Sequence, residues 1–282
     1  MYCLWKPKNV NTTVHVKHAF HLVDPSPWPV ATAVAVFGTA LGVVLLCHRI
    51  GVMICFLIWP GSLFYFLYRW FQDIITESVY QGNHTRKVIQ GLKFGMLLFI
   101  VSEIMFFFSF FFAYFYFSSA PSIWVGGVWP PKGVSVIPPG GLATTNSYLL
   151  LLSGVTFTWA HSALIVGNRL KVETGLAWTL LFAVCFTGFQ AVEYKYSTLH
   201  INDSVFGSLF YMITGFHGFH VLIGTIFIAT CYFRVANPKN VTFTRQHHFG
   251  FMAALWYWHF VDVVWLFVFF IIYVWGPLQA SI

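Results

Sequence analysis

"GMLLFIVSEIMFFFSFFFAYFYF", residues 95–117, decides the fold. A helix crosses the roughly 30 Å hydrocarbon core of a bilayer with about 20 predominantly apolar residues, and this run does so with a single charge, Glu103. The rest of the chain reads the same way. Of its 282 residues 58% are hydrophobic, 21% aromatic and only 8% charged, with a mean hydropathy of +0.74, against about 25% charged residues in an ordinary soluble domain. With 15 basic and 8 acidic residues the chain cannot dress so much apolar surface in a polar shell, so a soluble fold is excluded and a multi-spanning membrane protein implied. Residues 1–29 contain no continuous apolar core of a cleaved secretory signal. The five cysteines are scattered at 3, 47, 55, 185 and 231 without a C-x-x-C, so no disulfide framework or zinc knuckle is implied. The net charge of +7 comes from cations lying between apolar segments rather than in a basic run. It therefore points to membrane topology and not to a nucleic-acid partner.

Apolar stretches near 30–47, 52–71, 95–117, 146–167, 175–193, 205–232 and 251–275 predict an all-α membrane protein with seven transmembrane helices. The first two are joined by a short turn with His48, Arg49 and Gly51, and should form a tight antiparallel pair. Gly and Pro between Pro121 and Gly141 predict an ordered or interfacial loop. Seven spans place Lys6, Lys8, Lys17, Arg69, Arg86, Lys87, Lys93, Arg169, Lys171, Arg234, Lys239 and Arg245 on one side, and Arg49, Lys132 and Lys195 on the other. Cations accumulate on the inner side, so the N-terminus is expected inside and the C-terminus outside.

Polar groups within the spans raise the functional question. At about 1.5 Å rise per residue, Glu103 and His161 both lie roughly 10–12 Å from the inner boundary and could pair, since a carboxylic acid beside an imidazole costs less than either alone. His217 and His220, at i and i+3, share a face near the middle of span six. His259 and Asp262 lie near the middle of span seven. These groups serve either a proton, ion or metal path or the interhelical hydrogen bonding that holds a bundle together. A di-metal bundle site needs Glu-x-x-His motifs, and none occurs here. Walker, G-x-S-x-G and H-E-x-x-H motifs are missing too. A second polar set, Asp73, Glu77, His84, Arg86, Lys87, Arg234, Arg245, His247 and His248, falls at the inner interface, where it can snorkel or hold phospholipid headgroups.

"HLVDPSPWP" (21–29), "YQGNHT" (80–85), "FIVSEIMFFFSFFFAYFYFSSAP" (99–121), "WPPKG" (129–133), "TWAH" (158–161), "FTGFQAVEY" (186–194), "TGFHGFHVLIGT" (214–225) and "HHFGFMAALWYWHFVDVVWLF" (247–267) follow one another along the chain. In this order and spacing they resemble the mitochondrial form of the cytochrome c oxidase subunit III family over about residues 15–276. The resemblance implies a two-helix bundle (30–71) separated by a lipid-filled cleft from a five-helix bundle (95–276). An inner, matrix-side loop (72–94) and two tails (1–29 and 277–282) complete the chain.

It further implies that the chain binds no haem and no copper. Haem a, haem a3 and copper belong to partner subunits, and subunit III packs directly on subunit I near subunit II and accessory subunits, with structural phospholipids. Its expected place is the mitochondrial inner membrane, its expected role to sustain proton uptake and protect against inactivation during turnover. Glu103 matches the family's carbodiimide-reactive carboxylate, and Glu77, His84 and Arg234 match its lipid-headgroup contacts. Thr76, Asn83, Ser162 and Met252 depart from the family's usual residues, which puts the headgroup chemistry in question. On this reading His259 and Asp262 are structural anchors. The competing reading from composition is a proton-coupled seven-helix transporter carrying protons on Glu103 and Asp262, against which stands the lack of an inverted repeat. A membrane metalloenzyme is the third alternative.

Overall fold

The computed structural model describes residues 18–49, 53–237 and 243–279. The turn residue Gly51, the cations Lys6, Lys8, Lys17 and Lys239, and tail residues 280–282 lie outside the described residues. Among the described residues there is no strand, and seven long helices run in order: α1 Trp28–Cys47, α2 Met53–Val79, α3 Arg86–Ser119, α4 Leu142–Val166, α5 Arg169–Tyr196, α6 Val205–Ala236 and α7 Phe249–Val268. α7 continues through a π-helical stretch, Phe269–Trp275, into a last short turn, Gly276–Gln279. Six of these helices are long and apolar enough to cross a membrane. α2 is not one of the six: it spans 27 residues, but its last eleven carry Arg69, Gln72, Asp73, Thr76 and Glu77.

The helices overrun the apolar stretches that announce them. The expected loop 72–94 is helical at 72–79 and again from Arg86, leaving only 80–85 irregular. Hydropathy marks where the lipid ends, whereas a helix ends only where its sequence stops it. "QDIITESV" (72–79) contains no breaker. The stop comes at Gly82, whose φ of +66° suits a residue without a Cβ. The expected gap 168–174 closes in the same way. Gly167, at φ +88°, ends α4, and the Asn168 side chain immediately caps α5 by accepting from the Lys171 N–H at 3.2 Å.

The chain divides into two compact units, Met1–Leu92 and Lys93–Ile282. In the first, Thr32, Ala35, Gly38 and Gly42 form the buried seam of α1, and a Cβ on Gly38 would sit inside the Trp59 ring of α2. Without a hydrophobic drive between helices in lipid, close backbone approach over small residues is what holds such a pair. At the other end of α1, Trp28 Nε1 donates to Asp73 Oδ2 at 2.5 Å, with the Arg69 guanidinium 5.7 Å from the Trp28 ring.

In the second unit α4, α5, α6 and α7 pack closely, again over small residues. A Cβ on Gly175 (α5) would come 2.8 Å from the Ala160 Cβ (α4), and one on Gly224 (α6) 2.8 Å from the Trp258 ring (α7). α7 is the hub: Trp258 and Trp265 are 0% and 1% exposed, and their indole N–H groups donate to Ser153 and Ser147 of α4 at 2.8 and 2.9 Å. α3 stands further off, the space being filled by the rings of Phe107 and Tyr114. The Gly/Pro-rich connection after α3 is ordered: Trp129 is buried and packs edge-on against Tyr114 and Phe206. Gly175→Val should destabilise the α4–α5 pair by about 1–3 kcal/mol, the usual cost of overpacking. A lowered unfolding midpoint of this subunit in a detergent-denaturation series checks it.

Candidate functional site

The polar residues of the α3–α7 bundle form acid–imidazole pairs whose proton count follows from their partners. His220, on α6, is 7% exposed. Its Nδ1 lies 2.7 Å from the Phe216 carbonyl, which can only accept, so Nδ1 donates. Its Nε2 lies 2.9 Å from Glu103 Oε2 on α3. With Nδ1 committed, one proton resides between Nε2 and the carboxyl: either Glu103 is a neutral acid donating to Nε2, or an imidazolium donates to a carboxylate. Both forms satisfy each atom of the contact. The edge of Phe107 closes on the His220 ring at 5.0 Å.

α7 repeats the pattern. His259 Nε2 lies 3.1 Å from the Thr158 hydroxyl of α4. That hydroxyl donates to the Gly154 carbonyl at 2.9 Å, so it accepts from Nε2. His259 Nδ1 then faces Asp262 Oδ2 at 3.5 Å, one turn along the same helix. Asp262 is 6% exposed and leans against Gly154 so closely that a Cβ there would collide with Oδ2. His217, fully buried, donates from Nε2 to the Val261 carbonyl at 3.2 Å.

The expected Glu103–His161 pair does not form. Glu103 meets His220, and His161 instead lies near His248 (ring centroids 5.6 Å apart) and stacks on Phe251 at 5.9 Å. The equal depth expected of the two does not hold either: Glu103 and His220 lie beside Tyr257 and Phe260, whereas Phe251, the neighbour of His161, is roughly 9–13 Å further back along α7 at about 1.5 Å per residue. His217 and His220 do share the face expected of them, and His259 and Asp262 do adjoin. A further buried acid is Glu193 of α5, 6% exposed, which accepts from the Tyr273 hydroxyl at 2.7 Å. Gln190 donates to the Thr214 carbonyl and Tyr194 meets the Thr214 hydroxyl beside it. Glu193 was hidden because it ends its apolar run, where an acid ordinarily faces water. Its signal was the polar spacing Gln190, Glu193, Tyr194 on one helical face.

Of the interfacial set, the first unit brings Glu77, at the end of α2, together with His84 and with His21 of the N-terminal segment. Arg234 belongs to the second unit, where its guanidinium covers the Phe243 ring at 4.1 Å. Arg245 donates to the Val166 carbonyl at the end of α4. Arg169 likewise donates to Val235 and Ala236 at the end of α6, cations placed where a helix terminus is negative.

The family described as cytochrome c oxidase subunit III matches residues 18–277 of this chain. Among curated relatives, cytochrome c oxidase subunit 3 of Prototheca wickerhamii is 54% identical over 261 residues, covering 92% of this chain and 98% of the relative. That of Pylaiella littoralis is 50% identical over 263 residues, with 92% and 95% covered. That of Anopheles gambiae is 48% identical over 264 residues, with 94% and 99% covered.

The proton count makes the pair testable. In Glu103→Gln the amide N–H₂ can donate to His220 Nε2, so stability should change by less than about 1 kcal/mol. Glu103→Ala leaves a buried acceptor unmet and should cost about 1–3 kcal/mol. Thermal unfolding of the assembled complex carrying each variant separates the two.

Proposed function

The chain belongs to the cytochrome c oxidase subunit III family and is a multi-pass membrane subunit of that respiratory oxidase, complex IV; from this premise we propose that its role there is supportive rather than redox. Haem a, haem a3 and copper are held by partner subunits. This chain packs directly on subunit I, near subunit II and accessory subunits, and keeps the proton-uptake machinery in its working shape. It resides in the mitochondrial inner membrane with its N-terminus in the matrix and its C-terminus in the intermembrane space. The excess of Lys and Arg between alternate spans supports that orientation.

The observation that carries the supportive reading is the use to which the bundle's histidines are put. His217, His220 and His259 each give a ring nitrogen to an oxygen of a neighbouring residue, and His220 and His259 turn the other toward a carboxyl. That is how polar groups tie helices together in lipid, where an unmet group is costly. His161 differs: it meets His248 and Phe251 at the start of α7 through ring contacts, and its Nε2 makes no hydrogen bond among the described residues. The carrier roles a proton-coupled transporter would require of Glu103 and Asp262 are not favoured, because the relatives matched at 54% and 50% identity are oxidase subunits.

Phospholipids complete the reading. Glu77, His84 and Arg234 offer both signs of charge to headgroups at the ends of α2 and α6. The broad apolar surface of α3, only 6% buried in its most apolar window, calls for acyl chains or a partner's helices. Removing this subunit from the purified complex should leave all haem and copper with the remaining core and preserve the initial rate of oxygen uptake, while activity decays faster during turnover. Metal analysis of the two fractions together with an oxygen electrode checks this. Haem or copper leaving with the stripped chain would overturn the supportive reading.

A further inference from the structure

Three side chains in the N-terminal unit converge. Among the described residues, His21, Glu77 and His84 are the one group of three His, Cys, Asp or Glu whose ligand atoms all lie within 4.8 Å of one another. They come from three different segments, and the backbone is shaped to bring them together. Glu77 occupies the last turn of α2. The connection then folds back through Gly82, at φ +66°, and the Asn83 N–H returns to the Glu77 carbonyl at 3.0 Å, which sets His84 beside Glu77. The Thr85 hydroxyl donates to the Ala19 carbonyl at 2.5 Å and so draws the extended N-terminal segment, with His21, alongside. The rings of His21 and His84 lie 6.1 Å apart and tilted by 58°, rather than stacked flat on each other. His84 is 9% exposed, and His21 and Glu77 are partly buried.

We infer that His21, Glu77 and His84 form a site for one zinc ion, with a fourth position left to water or a phosphate oxygen. Two imidazole nitrogens and one carboxylate oxygen are the donor types zinc takes, at about 2.0–2.2 Å, in three-ligand sites that keep one position open. Magnesium and calcium prefer cages of oxygen donors and are a poorer match to two histidines. Electrostatics favour a cation at this point: Glu77 lies at the negative end of the α2 dipole, where a carboxylate alone is disfavoured and a dication offsets it. Metal binding there staples the N-terminal segment to the end of α2 and to the connection, three pieces of chain that share no regular hydrogen-bond ladder. The site goes beyond the supportive role and shares Glu77 and His84 with the proposed headgroup contact, so the test measures zinc and lipid separately.

The experiment uses the assembled oxidase complex, washed with chelator and then equilibrated with radiolabelled Zn²⁺ alone, with phospholipid counted by mass spectrometry in the same samples. The wild-type complex should bind one zinc more than His21→Gln and one more than His84→Gln. His18→Gln, altered three residues along the same segment, should bind as wild type. His21 and His18 both lie outside the helices, so these two variants leave the bundle intact, and oxygen uptake confirms assembly in each. Equal zinc in wild type and both site variants overturns the site. So does equal loss in His18→Gln, which would mean diffuse surface binding, and so does loss of phospholipid with zinc unchanged, which would leave a headgroup contact only.

Discussion

The 2.9 Å contact between Glu103 and His220 is the interaction on which the arrangement of the second unit turns. α3 is the least enclosed of the spanning helices in that unit, and most of what it presents is phenylalanine that lipid solvates as well as protein does. Dispersion over Phe107 and Tyr114 places it loosely. A carboxyl in hydrocarbon has one good option, a partner of fixed position, and His220 offers that because the Phe216 carbonyl already orients its ring. The bond therefore selects both the neighbour of α3 and its rotation about its own axis, which nonpolar packing in lipid specifies poorly.

The same logic recurs at α7. Asp262 can approach α4 only because residue 154 has no side chain, and His259 is oriented by Thr158, whose hydroxyl is in turn held by Gly154. Glycine and acid act as one feature here. Elsewhere Gly175 against Ala160 and Gly224 against Trp258 supply close approach without any polar group. The bundle thus combines small-residue seams, which allow proximity, with a few acid–imidazole contacts, which select register.

Much of this was legible in the chain itself. Apolar runs such as 95–117 are long enough that no soluble alternative competes. The spacing of His217 and His220 placed them on one face, as found. What did not follow was which groups share a level and a face: Glu103 meets His220 beside Tyr257 and Phe260, whereas His161 lies against Phe251, six to nine residues nearer the start of α7. Helix ends were also hidden, since 72–79 carries polar residues yet continues α2 to Val79, three residues before the turn at Gly82. The cluster at His21 was hidden for a third reason, the long separation in sequence from Glu77 and His84, which only the turn at Gly82 and the Thr85–Ala19 bond bring to an end.

An account in which the acids of the bundle are structural ties makes one demand above the rest. The most direct measurement is the number of protons pumped per electron by the assembled oxidase carrying Glu103→Gln and Asp262→Asn together, substitutions that keep shape and hydrogen bonding while removing both carboxyls. The account predicts that the complex assembles and pumps with the wild-type ratio. A complex that assembles and reduces oxygen but no longer pumps would contradict it and make these carboxyls proton carriers.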